Sequence, residues 1–312
     1  MKTKLLLPLF VILFIVPQFI RSQSKGQPRE FYQLTVYHYN TIDQEKIIDN
    51  YLQGALIPAL HEMKIKSVGV FKAIANDTSA NKTLYLFVPL KSLNAVDEIN
   101  TRLMRNNKFN ANNKEYADVL HNNPAYNRME TILLKAFPLA PAMKLPNLKS
   151  AKKQRVSELR SYESASEKIF RNKVHMFNEG GEMEIFTRLN FNPVFYSEVV
   201  AGGKMPNLMY MTTFENKEDR DAHWDAFRVD PAWKRMSSLP EYQNNVSTAI
   251  SLFCARQIIL IFEVIPQLHA HSTCTNPSAH KYCTWVFVRC RCTCRAGSAS
   301  DEPGSIVFRE CI

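Results

Sequence analysis

No cysteine occurs before position 254, although seven follow from there to the C-terminus. That gap excludes disulfides and thiolate metal sites from everything upstream of Cys254. Glycine is also scarce, at nine residues in 312, and forms no glycine-rich phosphate loop. Neither a nucleophile elbow nor a paired-carboxylate motif is present, so no short motif argues for nucleotide binding or acyl transfer. The one long apolar run, Leu5 to Ile20, falls short of the ~20 residues of a comfortable membrane span. Acidic residues are outnumbered, giving a net charge of +10. The basic residues are dispersed, however, and the local run Lys149, Lys152, Lys153 and Arg155 lacks interleaved aromatics. A solvated positive surface is expected, not a nucleic-acid interface.

What is present fits a folded chain: 46% hydrophobic and 22% charged residues. A length of 312 residues is enough for two ordinary domains. Lys2 and Lys4 precede the apolar run, and Arg21-Ser22-Gln23-Ser24 follow it. This order reads as a secretory signal peptide over 1–23, with an exported (periplasmic or secreted) product that meets a membrane only through that segment.

The stretch from Asn207 to Tyr242 organises the rest. Asn207 to Phe214 is bulky and β-favouring, so it reads as a central strand. A helix follows with His223 and Phe227 four apart on one side, and Asp230-Pro231 starts another. Upstream, Gln33 to Tyr37 alternates as a strand, Thr41 and Gln44 have capping-box spacing, and a helix runs on with a kink or break at Pro58. Strands at 67–74, 83–90 and 129–137 flank a helix at 94–104 and an asparagine-rich loop. Three prolines between 138 and 146 mark a linker. The order then returns: a strand at 158–162, a second capping box at Ser164 to Glu167, and a helix broken near Gly180-Gly181. Strands at 193–201 and 208–214, the helices from His223 to Trp233 and a strand at 246–253 complete it. The expected fold is α+β, with two ferredoxin-like βαββαβ units packed sheet to sheet in one chain. The domains are 31–137, a linker 138–155, and 156–256. The tail 257–312 holds most of the cysteine and no repeat pattern. It reads as a frame change in the coding sequence, or else as a disulfide-stabilised extension with one thiol left over.

Six motifs of the second half, in order, carry a resemblance: Glu158-Leu159-Arg160-Ser161-Tyr162, Phe177-Asn178-Glu179-Gly180-Gly181-Glu182, Phe191-Asn192-Pro193-Val194-Phe195-Tyr196, Asn207-Leu208-Met209-Tyr210-Met211, His223-Trp224-Asp225-Ala226-Phe227 and Asp230-Pro231-Ala232-Trp233. Together they resemble the NIPSNAP family, and the first half resembles a divergent copy. The resemblance implies a dimeric α/β barrel and no generally established catalytic residues. It also implies relatives, in the wider superfamily, that bind haem or oxidise small molecules.

Glu158, Arg160 and Tyr162 share one face of their strand, as do Gln33, Thr35 and Tyr37, while Leu34 and Leu159 point the other way. With the leucines toward the helices, the polar rows would face the space between the two sheets. There Glu158 and Arg160 could pair as a structural ion pair, or Arg160 could bind a carboxylate. His223 is read as a backbone-bonded helical histidine, and alternatively as a haem ligand or acid–base group. Tyr196, Tyr210 and Trp224 complete the candidate pocket. No catalytic residue and no metal site are assigned: Cys290-x-Cys292-x-Cys294 with Cys283 and His280 lacks the paired spacing of a zinc centre. Met205, Met209, Met211 and Met236 are taken as core filler. The preferred function is non-catalytic binding of a small molecule or protein partner between the two units, without cofactor, and homo-oligomers are compatible with it. The alternatives are a haem-linked or cofactor-free monooxygenase-like enzyme and a structural scaffold.

Overall fold

The computed structural model describes residues 27–256. The expected signal peptide over 1–23 and the cysteine-rich tail after 256 lie outside them.

The first half comprises β1 (Phe31–Tyr39), α1 (Ile42–Tyr51), a π-helical turn at Leu52–Leu56, α2 (Ile57–Glu62), β2 (Gly69–Ala73), β3 (Lys82–Leu90), α3 (Ala95–Met104), α4 (Asn107–Asn112), α5 (Lys114–Ala117) and β4 (Arg128–Ala136). The second comprises β5 (Val156–Glu163), α6 (Glu167–Phe177), α7 (Glu182–Arg188), β6 (Pro193–Ala201), β7 (Asn207–Phe214), α8 (Lys217–Val229), α9 (Pro231–Ser237) and β8 (Thr248–Arg256). Among these described residues no helix is long and apolar enough to cross a membrane.

Helix starts follow from local chemistry. Thr41 caps α1 in a full capping box with Gln44, as its spacing predicts. The second box is displaced. Ser166, not Ser164, caps α6 by accepting from the Ile169 N–H, while the Ser164 hydroxyl donates to the Asn245 carbonyl. Asp230 caps α9 through the N–H groups of Ala232 and Trp233, with Pro231 at the first helical position. Helix α8 begins six residues before His223, because Asn216 accepts from the Asp219 N–H and two acidic residues follow in the first turn. The asparagine-rich stretch is not a loop: Asn106 caps α4 by accepting from Phe109 N–H. Pro58 does not break the chain into separate helices; it sits in the first turn of α2, where a missing N–H costs little, just after the π-helical turn.

All strand pairs are antiparallel, and the sheet closes as a barrel in the order β1-β3-β2-β8-β5-β7-β6-β4. Within each half the order is fourth, first, third, second strand. The halves meet at β2 with β8, where Ala73 lies opposite Cys254, and at β4 with β6, where Ala136 lies opposite Ser197. Closure leaves no free sheet edge. The barrel interior is largely apolar, filled by Tyr32, Leu34, Phe87, Leu159, Phe195 and Met211 among others, and the buried Ser161 and Asn207 on the same inward faces bond to each other. Cys254 lies in it too, and burial pushes its thiol up to about 12. Met209 and Met211 are interior and Met236 packs in the second helix-side core, but Met205 is half exposed, so it is not core filler.

Leu34 and Leu159 therefore face into the barrel, and the polar rows beside them face the helices. This reverses the expected orientation. A closed barrel has a narrow interior that leucine, phenylalanine and methionine fill, and charged groups there would lack partners.

Candidate functional site

On the helix-facing side of β5 stand Glu158, Arg160 and Tyr162. Register sets their neighbours: Arg160 lies between Tyr210 of β7 and Ser251 of β8, and Tyr162 between Leu208 and Ala249. The small side chains of Ser251 and Ala249 leave room that bulkier residues would fill. Above the strand, α8 contributes Arg220 and Trp224, four apart and so on one face.

Glu158 is fully buried and is the hub. Arg220 donates to both its oxygens, at 2.9 Å from Nε and 2.7 Å from Nη2. Arg160 Nη1 donates at 3.1 Å, and the Trp224 indole N–H at 2.7 Å. A carboxylate accepting four charge-assisted or indole bonds is held rigidly. Arg220 spends its remaining nitrogen on Asp221 at 2.9 Å. Arg160 is less committed: its Nε is buried without a hydrogen-bond partner, and Glu158 is its single partner among the described residues. The Arg160 guanidinium carbon sits 4.2 Å from the centre of the Trp224 ring, a cation–π stack that fixes its plane.

A second buried pair lies close by. Lys173 of α6 donates to Glu182 of α7 at 2.8 Å, with its ammonium 4.8 Å from the centre of the Phe177 ring. The reversal that brings Glu182 back depends on two glycines. Gly181 has φ +91°, and a Cβ on Gly180 would stand 2.6 Å from the Met176 carbonyl oxygen and 2.9 Å from the Tyr242 hydroxyl.

Between β5, β8, α6, α8 and α9 lies a cavity of about 800 Å³ lined by Arg160, Tyr162, Trp224, Phe227, Trp233 and Tyr242 among others. Its size and its aromatic residues suit a small-molecule site, and charged and amide side chains, among them Arg160, Lys173, Glu182 and Asn245, share the lining. Tyr162 donates to or accepts from Tyr210 at 2.9 Å, and burial raises the pKa of both phenols, so both stay neutral.

Of the candidates named from the sequence, Glu158, Arg160, Tyr162 and Trp224 converge here. Tyr210 lies behind Tyr162, fully buried. Tyr196 has no hydrogen-bond partner for its hydroxyl and lines a smaller cavity, about 380 Å³, beside α7 and the segment after β4. His223 does not join them. Its Nδ1 lies 2.7 Å from the Asp219 carbonyl and its ring packs on Phe191 and Phe214, the backbone-bonded state expected of it. A haem held by His223 does not fit this cavity, because one helical step separates that ring from the Trp224 face. Among the described residues no cluster of three metal-ligating side chains exists. The expected location also needs correction: the cavity lies inside the second half, not between the halves, since the barrel interior is filled. Arg220, Lys173 and Glu182 are site residues that strand alternation could not reveal. Only the four-residue spacing of Arg220 and Trp224 hinted at a shared face.

Residues 157–253 match the NIPSNAP family. Among solved structures, the chain is similar to a Lactobacillus acidophilus NCFM protein provisionally named a monooxygenase, at 10% identity and TM-score 0.48, over 73% of this chain and 94% of that one. A NIPSNAP-like domain protein from Burkholderia xenovorans is 16% identical with TM-score 0.30, covering 32% of this chain and 84% of its own. A NIPSNAP family protein from Agrobacterium tumefaciens C58 is 16% identical with TM-score 0.28, covering 32% and 90%. No curated protein matches. The matched span holds Glu158, Arg160, Lys173, Glu182, Arg220 and Trp224, and so the chain carries a NIPSNAP domain over residues 157–253.

Proposed function

We propose that this chain is a small-molecule binding protein whose site is the cavity beneath α8 and α9 of the NIPSNAP domain. The observation that carries the reading is a roomy, aromatic-walled cavity in which Arg160 is clamped by Glu158 and Trp224 yet keeps unused donor capacity. Buried donors without partners are costly, so a site that retains one is suited to an acceptor brought by a ligand. Among the described residues lining the cavity, the Tyr162 phenol is engaged with Tyr210, Lys173 and Glu182 pair with one another, and the Tyr242 hydroxyl is bonded to His175 Nδ1 at 2.9 Å. This favours binding over catalysis.

The rest of the chain fits a wider reading. We take 31–137 and 156–256 as two copies of one ferredoxin-like unit joined by 138–155, an intramolecular version of a dimeric α/β barrel. The same internal strand order in each half supports this. The first copy, with its helix side filled, serves as scaffold. Export after removal of 1–23 would place the binding site outside the cytoplasm.

The test is native against denatured intact mass of the chain purified from its export compartment, with a Ser251→Leu variant beside it. A ligand mass seen only under native conditions, and lost in the variant that fills the cavity floor, is the expected result. Wild type and variant carrying the same adduct, or neither carrying one after incubation with cell extract, would overturn the assignment.

A further inference from the structure

We infer that the ligand of this cavity is a flat organic monoanion, a carboxylate on an aromatic body, with its carboxylate on Arg160; this rests on the binding reading above. The argument begins with charge. Lys173 and Glu182 cancel one another as a buried pair. Arg228 and Asp225 also pair, and both are largely exposed, so water and salt screen them. Asp221 divides its charge between Arg220 and Lys217 in a half-exposed position. What remains under cover is one carboxylate, Glu158, shared by two guanidiniums, Arg160 and Arg220. The buried cluster thus carries a surplus of one positive charge, in surroundings where an uncompensated charge is expensive.

Donor capacity says which cation is open. Arg220 uses all three nitrogens on Glu158 and Asp221. Lys173 is held by Glu182 and the Met176 sulfur. Arg160 alone of the three has nitrogens without a partner among the described residues, the buried Nε and the Nη2 that is not buried, and the residue lines the cavity. A guanidinium edge matches a carboxylate in two parallel bonds, which a point cation cannot do. One surplus charge suits a monoanion, whereas a dianionic phosphate would leave an excess negative charge. The flat body follows from the walls. Trp224 already stacks on Arg160, and Phe227 and Trp233 lie with ring centres 4.5 Å apart. These two rings are in contact with one another, so a planar group would pack against the wall they form, not between them, while its carboxylate stays in the guanidinium plane.

The experiment is calorimetric titration of the full chain with four probes of one shape: 2-naphthoate, 2-naphthamide, 2-naphthyl phosphate and 2-naphthylmethylamine. The acid is expected to bind about tenfold or more tighter than the amide, the increment of a charge-assisted bond over a neutral one. In Arg160→Gln that preference should vanish while amide binding persists, and Arg160→Lys should keep part of it. The acid-to-amide ratio in the unaltered protein decides the question even should Arg160→Gln fail to fold. An amide or amine that binds as well as the acid would overturn the inference and leave the binding site standing. Tightest binding of the phosphate would overturn the monoanion assignment. Failure of all four to bind at millimolar concentration would remove the binding reading itself.

Discussion

The helix-facing rows of β1 and β5 occupy the same place in the two halves and end in opposite states. On β1, Gln33 donates to Thr35 at 3.2 Å, and Tyr37 packs edge-on against Tyr116 and Tyr126. Tyr51 stacks on Tyr116 with ring centres 3.8 Å apart, and the β1 row itself is packed and neutral, the charges of this side being the Lys72, Glu45 and Asp49 cluster between β2 and α1. The paired strand β4 sets Leu133, Thr131 and Met129 opposite that row. On β5 the row is Glu158, Arg160 and Tyr162, and β8 sets Phe253, Ser251 and Ala249 opposite it. One fold position thus becomes a filled core where the row is neutral, and a charged cavity where it is ionic beside small side chains. Neither described cavity is lined by the first half. The difference lies in side chains, not in topology, and tyrosine rings supply in one half the volume that is left open in the other.

The largest expected contrast comes from the two rows themselves. Glu158→Ala would strand two buried guanidiniums and the Trp224 N–H, at a cost of about 3–5 kcal/mol, while Gln33→Ala should cost about 1 kcal/mol or less. Urea unfolding measures both, and equal losses would erase the contrast. Leu34→Ala and Leu159→Ala should behave alike instead, each losing about 2–5 kcal/mol, because both are fully buried in the barrel. A mild effect at one of them would mean that the halves do not share an inward face. Tyr162→Phe leaves the buried Tyr210 hydroxyl without its partner and should cost about 1–3 kcal/mol. The same measurement on Tyr37→Phe gives the reference for the tyrosine-packed half.

The smallest effect concerns how the second half holds the connecting segment. Hydrogen bonds from Ser150, and then from the Lys149 backbone N–H, lower the Glu215 carboxyl from an ordinary 4.5 to about 2. A depressed carboxyl favours the folded state when ionised, so its contribution is complete above the unfolded value and is lost as pH falls from about 4.5 toward 2. Glu215→Gln should flatten the melting temperature across that window and lower it slightly at pH 7, where the ionised carboxylate contributes in full, while the two proteins converge toward pH 2. A pH dependence identical to that of the unaltered protein would separate this contact from stability.

Much of the architecture was legible in residue order. Alternation and β-favouring composition located the described strands within a few residues, and the Thr41/Gln44 and Asp230-Pro231 signals placed helix starts at the right residues. Ser164 misled because two serines stand two apart, and only the chain's path decides which hydroxyl meets the free N–H groups. The shared face of Glu158, Arg160 and Tyr162 was equally readable, since period-two alternation fixes it. Which way that face points was not. Alternation is symmetric between the sides of a sheet, and the choice belongs to closure, which makes the interior too narrow and dry for charge.

By itself, then, the sequence determined the strands and most of the helices, though not α4 and α5, together with their order, the grouping of the polar row and the family that residues 157–253 match. These depend on neighbours two to four residues apart and on motifs read in order. The tertiary structure alone decided that Arg220, Lys173 and Glu182 join the row, that His223 turns away from it, and that Ser251 leaves space beside Arg160. Those facts depend on how separate strands and helices meet, across 62 positions for Glu158 and Arg220 and nine for Lys173 and Glu182, and no two- to four-residue spacing encodes contacts of that span.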